Sequence, residues 1–244
     1  MVIVWDFSLG VSLLHTYRFS GINKSMRYLE FRDRFHDLIL FNTHELLVSH
    51  PKFHINRLAE WKRKGYLVSL RKGYYIFADI KINHYIQYLI ANTLYPPAYV
   101  SLETALSYHN LITEIVYATT SVTTNLPKRF HNELGRYTYN QVKSDVYRGY
   151  QLLPIPGYKR KVRVAAPEKA ILDYLYLHSE LTTPDDFLSL RLNPETLNQL
   201  DFDRLQTLAG LYKQKRLCRR VNDLCNSCNV AETGNVAGNL TPSC

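Results

Sequence analysis

Apolar and charged residues alternate at helical spacing near the start of the chain. From Met26 to Phe41, apolar side chains recur every three or four residues, and charged residues occupy the opposite face. This pattern predicts a first helix over residues 26–41. Its inward positions are expected to be Leu29, Phe31, Phe35, Leu38 and Ile39.

Two further helices are predicted next. Thr43 is a suitable N-cap for a short second helix, which Pro51 would end because proline disfavours helical backbone in the residue before it. A third helix is predicted from Phe53 to Lys64, and Gly65 after it is typical of a helix C-terminus. The positions expected to be buried in these two helices are Leu46, Leu47, Ile55, Leu58 and Trp61.

A hairpin is predicted after the third helix. The segments Tyr66–Leu70 and Tyr74–Ala78 are rich in strand-forming residues, and "RKG" between them supplies the glycine of a tight turn. Three short helices followed by a hairpin predict a winged helix-turn-helix domain at residues 26–80.

Residues 81–217 have a different pattern, which predicts an α+β domain. Two helices come first, the second N-capped by Ser101, and about four strands rich in Thr, Val and Tyr follow. Antiparallel pairing is expected because the links between consecutive strands are too short for a crossover helix. The inward positions of the first helix are expected to be Ile82, Ile86, Leu89 and Ile90.

Helices are predicted to close this second domain. Three of them would carry a proline in the first turn, at Pro167, Pro184 and Pro194. The last helix would bury Leu205, Leu208, Ala209 and Tyr212. The predicted fold class is therefore α+β: an N-terminal winged helix-turn-helix, then an α+β domain with a mostly antiparallel sheet and C-terminal helices.

Basic residues are concentrated in one segment. The formal net charge of +9 favours an anionic partner, such as nucleic acid or an acidic protein surface. Between Lys52 and Lys72 there are seven Lys or Arg residues and one acid, Glu60, a net charge of +6. Much of the positive charge therefore coincides with the predicted third helix and hairpin.

This coincidence predicts a surface that contacts double-stranded DNA. Asn56 and Arg57 are the expected base readers, because an amide can pair at two points with adenine and a guanidinium with guanine. Lys62, Lys64 and the hairpin cations are expected to contact phosphates. The full predicted set is Lys52, His54, Asn56, Arg57, Lys62, Arg63, Lys64, Arg71 and Lys72. The alternative is a solvated helix face and a charged hairpin that protects an exposed sheet edge.

The two ends of the chain are expected to lie outside the folded domains. The apolar stretch in residues 1–25 is interrupted by Asp6 and is too short to span a bilayer, so a loosely ordered extension is predicted, with no signal peptide or membrane anchor. Residues 218–244 are predicted to be a disordered tail. A body without cysteine favours a reducing cytoplasm, and the tail's irregular cysteine spacing favours no metal site. The four cysteines are Cys218, Cys225, Cys228 and Cys244.

The sequence contains no complete set of catalytic or metal-binding residues. His44 begins a zinc-protease-like "HELLV", but Val48 stands where the second histidine is needed. The acids Asp201, Asp203 and Glu168 each stand at the predicted start of a helix, where the helix dipole favours negative charge. The sequence therefore predicts no catalytic site and no cofactor.

The chain contains 19 tyrosines, many in the predicted strands near basic residues. Such a surface can stack single-stranded nucleic acid or contact a protein. The alternative is that the tyrosines pack the sheet.

Five segments, in order, resemble AbiEi-type antitoxins. They are "RLAEWKRKGYLVSLRKGYYIF", "YVSLETALSYHNLI", "TTSVTT", "GRYTYNQV" and "VRVAAPEKAILDYLYL". The resemblance covers residues 26–212, and it implies a winged helix that represses its own operon at operator repeats. It also implies an antitoxin domain that counteracts a nucleotidyltransferase-like toxin, with two protomers expected on the operator. The 25-residue front extension and the cysteine-bearing tail depart from the family pattern.

Two alternatives are kept. One is an interaction antitoxin that neutralises a partner by contact, without sequence-specific DNA binding. The other is a metal-dependent enzyme acting on nucleic acid through Asp201, Asp203 or Glu168.

Overall fold

The structure is a computed structural model that describes residues 26–232 except 115, 184, 185, 187 and 188, with side chains as far as Leu224. The predictions for residues 1–25, for Pro184 and for the cysteines after Cys218 lie outside this part. The protein is mixed α and β, with mostly antiparallel pairing and helices at its C-terminal end. Among the described residues, no helix combines the length and apolar character needed to span a bilayer.

Two compact units divide the chain. The first contains the described residues up to Leu94 together with His131–Gly135 and Leu152–Val162. Its helices are α1 (Tyr28–Phe35), α2 (Thr43–Ser49), α3 (Asn56–Arg63) and α4 (His84–Leu94). Its strands are β1 (Leu40–Asn42), β2 (Leu67–Arg71) and β3 (Tyr74–Phe77), which form an antiparallel sheet in the order β1-β3-β2.

The first predicted helix is shorter than expected. It ends at Phe35 and is followed by a single 3-10 turn, because Ile39 adopts a left-handed backbone with φ 67° that stops the helix. Phe41 then belongs to β1, a strand that the helical pattern did not predict. Leu29 is 70% exposed and not inward as predicted, because the buried stripe of α1 is set by Phe31 and Phe35.

Two details of the next helices also differ from the prediction. The N-cap of α2 is Asn42 and not Thr43, since Oδ1 of Asn42 accepts a hydrogen bond from the Glu45 amide at 2.8 Å. Ile55 is 43% exposed and not inward as predicted; it is the N-cap residue before α3, and Phe53 is buried instead.

The predicted hairpin is confirmed. Strands β2 and β3 pair with a register shift between Ser69 and Arg71, and Gly73 supplies the positive φ of 81° that the turn needs. The Thr43 amide donates to the Gly73 carbonyl at 2.8 Å, which ties the turn to the start of α2.

The second unit contains Tyr95–Phe130, Arg136–Gln151 and the described residues from Arg163 onward. A six-stranded sheet has the order β6-β7-β5-β4-β9-β8. Its strands are β4 (Ala98–Val100), β5 (Ala118–Thr123), β6 (Lys128–Asn132), β7 (Gly135–Gln141), β8 (Tyr150–Pro154) and β9 (Lys161–Ala165). The helices of this unit are α5 (Leu102–Tyr108), α6 (Pro167–Leu177), α7 (Pro194–Leu197), α8 (Phe202–Gly210) and α9 (Lys215–Glu232).

Two of the strand pairings in this sheet are parallel. They join β5 to β7 and β4 to β9, strands that are not consecutive in the chain. Short links restrict the pairing of consecutive strands only, so no expectation for these two pairs followed from the sequence. Tyr99, Tyr137 and Tyr139 are almost fully buried in the sheet, which supports the packing interpretation for these three tyrosines.

The helices predicted for residues 81–217 agree with the structure in some details and differ in others. Pro167 and Pro194 occupy the first turns of α6 and α7, as predicted. Ser101 occupies the N-cap position of α5, as predicted, but its hydroxyl donates to Asp173 and makes no cap hydrogen bond. Ile82 is 40% exposed and not inward, since it lies before the first residue of α4.

The predicted disordered tail is wrong for residues 218–232. These residues continue α9, which begins at Lys215. Leu217, Val221 and Leu224 are buried at a helical spacing that the polar composition of the whole tail concealed. Cys218 is buried beside them.

Arg220 holds α9 against the end of α6. Only 5% of the residue is exposed, and its guanidinium donates to the carbonyls of Leu175 at 2.7 Å and His178 at 2.9 Å. Replacing Arg220 by methionine is expected to lower the free energy of unfolding by about 2–3 kcal/mol, because the carbonyls at the helix end lose a charged donor. Urea denaturation followed by far-UV circular dichroism measures the change. The exposed neighbour Arg219→Met is the control, and equal losses for the two variants would contradict the role of Arg220.

Candidate nucleic-acid interface

Helices α2 and α3 and the turn between them present polar residues to solvent. Lys52 and His54 are exposed in the turn, and Asn56 is exposed at the first position of α3. Lys62 and Arg63 are exposed in the last turn of the same helix. The polar side of this segment is therefore accessible within the first unit.

An aromatic cluster fixes the rotation of α3. Trp61 is 2% exposed, and its ring centroid lies 4.8 Å from that of Phe31 and 5.9 Å from that of Phe53. Leu58, one turn earlier, has no exposed surface. Because these two positions face the core, the residues on the other side of the helix face outward.

Glu60, the single acid of residues 52–72, is paired. Nζ of Lys64 lies 2.7 Å from Oε1 of Glu60, one helical turn away, and this hydrogen bond lowers the pKa of Glu60. Both side chains are largely exposed, so the pair contributes little to stability. Glu60 pairs with Lys64 and not with Lys62 or Arg63, which are exposed in the last turn of α3.

Arg57 differs from the other predicted contact residues. It is half-buried, and its Nη1 donates to the backbone carbonyl of Met26. One edge of the guanidinium is therefore already engaged within the protein. A two-pronged contact with guanine has to use the remaining edge or break this bond.

The hairpin cations also differ from each other. The guanidinium carbon of Arg71 lies 4.2 Å from the centre of the Tyr74 ring, a cation–π contact that holds the side chain along β3. Lys72 is exposed in the turn. Lys72 is thus the more accessible of the two.

Two side-chain contacts support the hairpin within the first unit. Asn132 donates from Nδ2 to the Leu70 carbonyl on β2 at 3.1 Å. Gln87 on α4 donates from Nε2 to the Leu134 carbonyl at 2.8 Å, which holds the turn that carries Asn132. Sequence reasoning missed both, because the partners are 62 and 47 residues apart and no local pattern marks them.

A buried ionic network is the main polar feature of the second unit. Asp173 has no exposed surface and accepts four hydrogen bonds, from Lys169 at 2.7 Å and from Tyr99, Ser101 and Tyr212 at 2.8 Å each. Burial lowers the pKa of Lys169 and raises the pKa of both tyrosines. All of these polar atoms are engaged by protein groups, which supports a role in holding β4, α6 and the end of α8 together.

Two of the acids considered for catalysis, Asp201 and Glu168, have structural partners. Oδ1 of Asp201 accepts from the Arg204 amide at 2.9 Å and caps α8, as the helix-start interpretation predicts. Glu168 is buried at the start of α6 and accepts from the Asp201 amide at 3.4 Å. Within the described residues, no three His, Cys, Asp or Glu side chains lie close enough together to hold a metal ion.

Comparison with protein-family models gave no match for this chain, and comparison with curated protein sequences gave none either.

Proposed function

We propose that the first unit is a winged helix-turn-helix that binds double-stranded DNA and represses the operon encoding it. The order helix, strand, two helices and hairpin, with a β1-β3-β2 sheet, is typical of this domain. The observation that carries the proposal is the set of exposed basic side chains in residues 52–72, which contain α3 and the hairpin turn and have a net charge of +6. In this proposal α3 enters the major groove and β2–β3 is the wing.

The contact residues divide into two groups in this proposal. His54 and Asn56 read base edges, because both are exposed where α3 begins. Arg57 positions the chain through the Met26 carbonyl and reads bases with its remaining edge. The residues that contact phosphates are Lys52, Lys62, Arg63, Lys64, Arg71 and Lys72.

We further propose that the second unit counteracts a nucleotidyltransferase-like toxin from the same operon. The segments that resemble AbiEi-type antitoxins support this, because "TTSVTT" and "GRYTYNQV" form the neighbouring strands β5 and β7. The "YVS" and "VRVAA" segments form β4 and β9, which also pair. The resemblance therefore falls on four adjacent strands of one sheet and on α6, which follows them.

A protein-interaction antitoxin without sequence-specific DNA binding is the second candidate. The engagement of Arg57 by the Met26 carbonyl favours it, because a predicted base reader is partly occupied. Co-purification with the product of the neighbouring gene, together with equal affinity for operator and random duplexes, would select this candidate.

The DNA-binding proposal is tested by titrating the protein with its own upstream DNA over a salt series. We expect preferential binding by two protomers on repeated sites. The logarithm of the affinity is expected to fall linearly with the logarithm of the salt concentration, with a slope of about −0.9 for each neutralised phosphate. A random duplex of equal length is the control. A flat salt dependence, or equal affinity for the two duplexes, would overturn the proposal.

Two variants separate base reading from phosphate contact. Asn56→Ala is expected to reduce the ratio of operator to random affinity by about fivefold or more, because a lost amide pair removes about 1–3 kcal/mol of discrimination. Lys72→Ala is expected to weaken binding to both duplexes by the same factor. It should also reduce the slope of log affinity against log salt concentration by about 1. Fluorescence anisotropy measures both effects.

The control for these variants is Lys81→Ala, which removes an exposed lysine of the same unit outside the predicted surface. Its affinity for both duplexes should match that of the unchanged protein. Lys72→Ala should lower the affinities for operator and random duplex by the same factor. If Asn56→Ala also lowers both affinities by the same factor, the assignment of roles is wrong.

A further inference from the structure

A groove of about 460 Å³ opens on the second unit, beside α5 and α6. Its apolar lining includes Leu106 from α5, Ile112 from the segment after it, and Leu190 and Leu192 from the segment before α7. Leu106 is fully buried and the other three are half-buried. The groove therefore has an apolar floor that remains partly accessible to solvent.

Carboxylates surround this floor. Glu103 and Glu114 line the groove, and together with Glu180 they add to the effect of burial in raising the pKa of Tyr174, which also lines it. Oε2 of Glu103 is shielded from solvent and has no hydrogen-bond partner among the described groups. The described lining contains no Lys or Arg, although the whole chain has a net charge of +9. The groove is thus an anionic region on a cationic protein.

The rim carries an aromatic residue that lies open to solvent. Tyr117 is 84% exposed and lines the groove. Exposed tyrosines beside apolar grooves are frequent hot spots of protein interfaces. Small ligands usually have about 70–90% of their surface covered in a pocket, whereas an open groove suits a segment that lays one apolar face into it.

We propose that this groove docks a cationic amphipathic segment of a partner protein. Apolar side chains of the segment contact Ile112, Leu190 and Leu192, and its Lys or Arg side chains meet Glu103 and Glu114. The proposal goes beyond DNA binding and does not depend on it, since all of these residues belong to the second unit.

The probes for the test are three labelled peptides of equal length. The first has leucines at helical spacing with flanking lysines, the second replaces the lysines by glutamates, and the third keeps the composition of the first but scatters its leucines. Fluorescence anisotropy with the full-length chain is expected to show binding of the first peptide, weaker binding of the third and none of the second. Equal binding of the first and third peptides, or no binding of the first, would overturn the proposal.

Groove variants locate the binding. The double variant Glu103→Gln, Glu114→Gln is expected to weaken binding of the lysine peptide at least fivefold, and Tyr117→Ala is expected to weaken it as well. Asp203→Asn, which removes an exposed acid from α8 of the same unit, should leave binding unchanged. Circular dichroism verifies that each variant is folded.

Two further results would contradict the inference. One is peptide binding that is the same in the groove variants as in the unchanged chain. The other is binding of benzamidine, a small aromatic cation, that depends on Glu103 and Glu114 while the lysine peptide does not bind, because this result assigns the groove to a small ligand.

Discussion

Replacing Asp173 by alanine is expected to lower the free energy of unfolding of the second unit by about 3–5 kcal/mol. The change leaves the Lys169 ammonium, which is 1% exposed, without its counter-ion. It also removes the acceptor of the Tyr99 and Ser101 hydroxyls, which are buried with it. Urea denaturation followed by tyrosine fluorescence measures the loss, because this network contains tyrosines of the second unit.

A double variant distinguishes the loss of the ion pair from the cost of an unpaired charge. Lys169→Met combined with Asp173→Leu removes both charges, so it should destabilise the unit less than Asp173→Ala alone. Asp145→Ala, an exposed acid in the same unit, is the surface control and should change the free energy by about 0.5 kcal/mol or less. If Asp173→Ala behaves like the control, the network does not stabilise the fold.

Replacing Phe31 by alanine is expected to destabilise the first unit by about 3–5 kcal/mol. Phe31 has no exposed surface, and its ring lies within 5.8 Å of the rings of Phe35, Phe41, Phe53, Trp61 and Phe77, measured between centroids. A cavity at this position removes contacts from α1, α3 and the sheet together, so the neighbours cannot easily collapse to fill it.

The fluorescence of Trp61 reports this loss directly. The chain has two tryptophans, so a Trp5→Phe background leaves Trp61 as the single indole. Leu29→Ala is the matched control on the same helix, because Leu29 is 70% exposed and should change the free energy by about 0.5 kcal/mol or less. Equal denaturation midpoints for Phe31→Ala and Leu29→Ala would mean that Phe31 is not the centre of this core.

Helical periodicity predicted the buried faces of the first unit where the helices are regular. Leu58 and Trp61 are buried as their spacing indicates, and so are Phe31 and Phe35. The prediction failed at Leu29 and Ile55, near or before the first residue of a helix. Strand β1 was missed because three residues are too few to display an alternating pattern.

Long-range polar contacts could not be predicted from the sequence. Lys169 and Asp173 are one helical turn apart and resemble an ordinary surface ion pair. Their burial depends on Tyr99, which is 74 residues from Asp173, and on Tyr212, which is 39 residues away. In the candidate interface, the exposure of Lys62 and Arg63 follows from helical phase, but the bond from Arg57 to Met26 joins residues 31 positions apart.

The hydrogen bond from Asn132 to Leu70 affects how copies of this protein can associate. Strand β2 lies at one edge of its sheet, and the carbonyl of Leu70 on this strand accepts a hydrogen bond from the Asn132 amide. An outermost strand with unoccupied backbone groups is a template on which another chain can extend the sheet. Because this position is occupied, extension of the sheet by a second copy pairing along β2 is disfavoured.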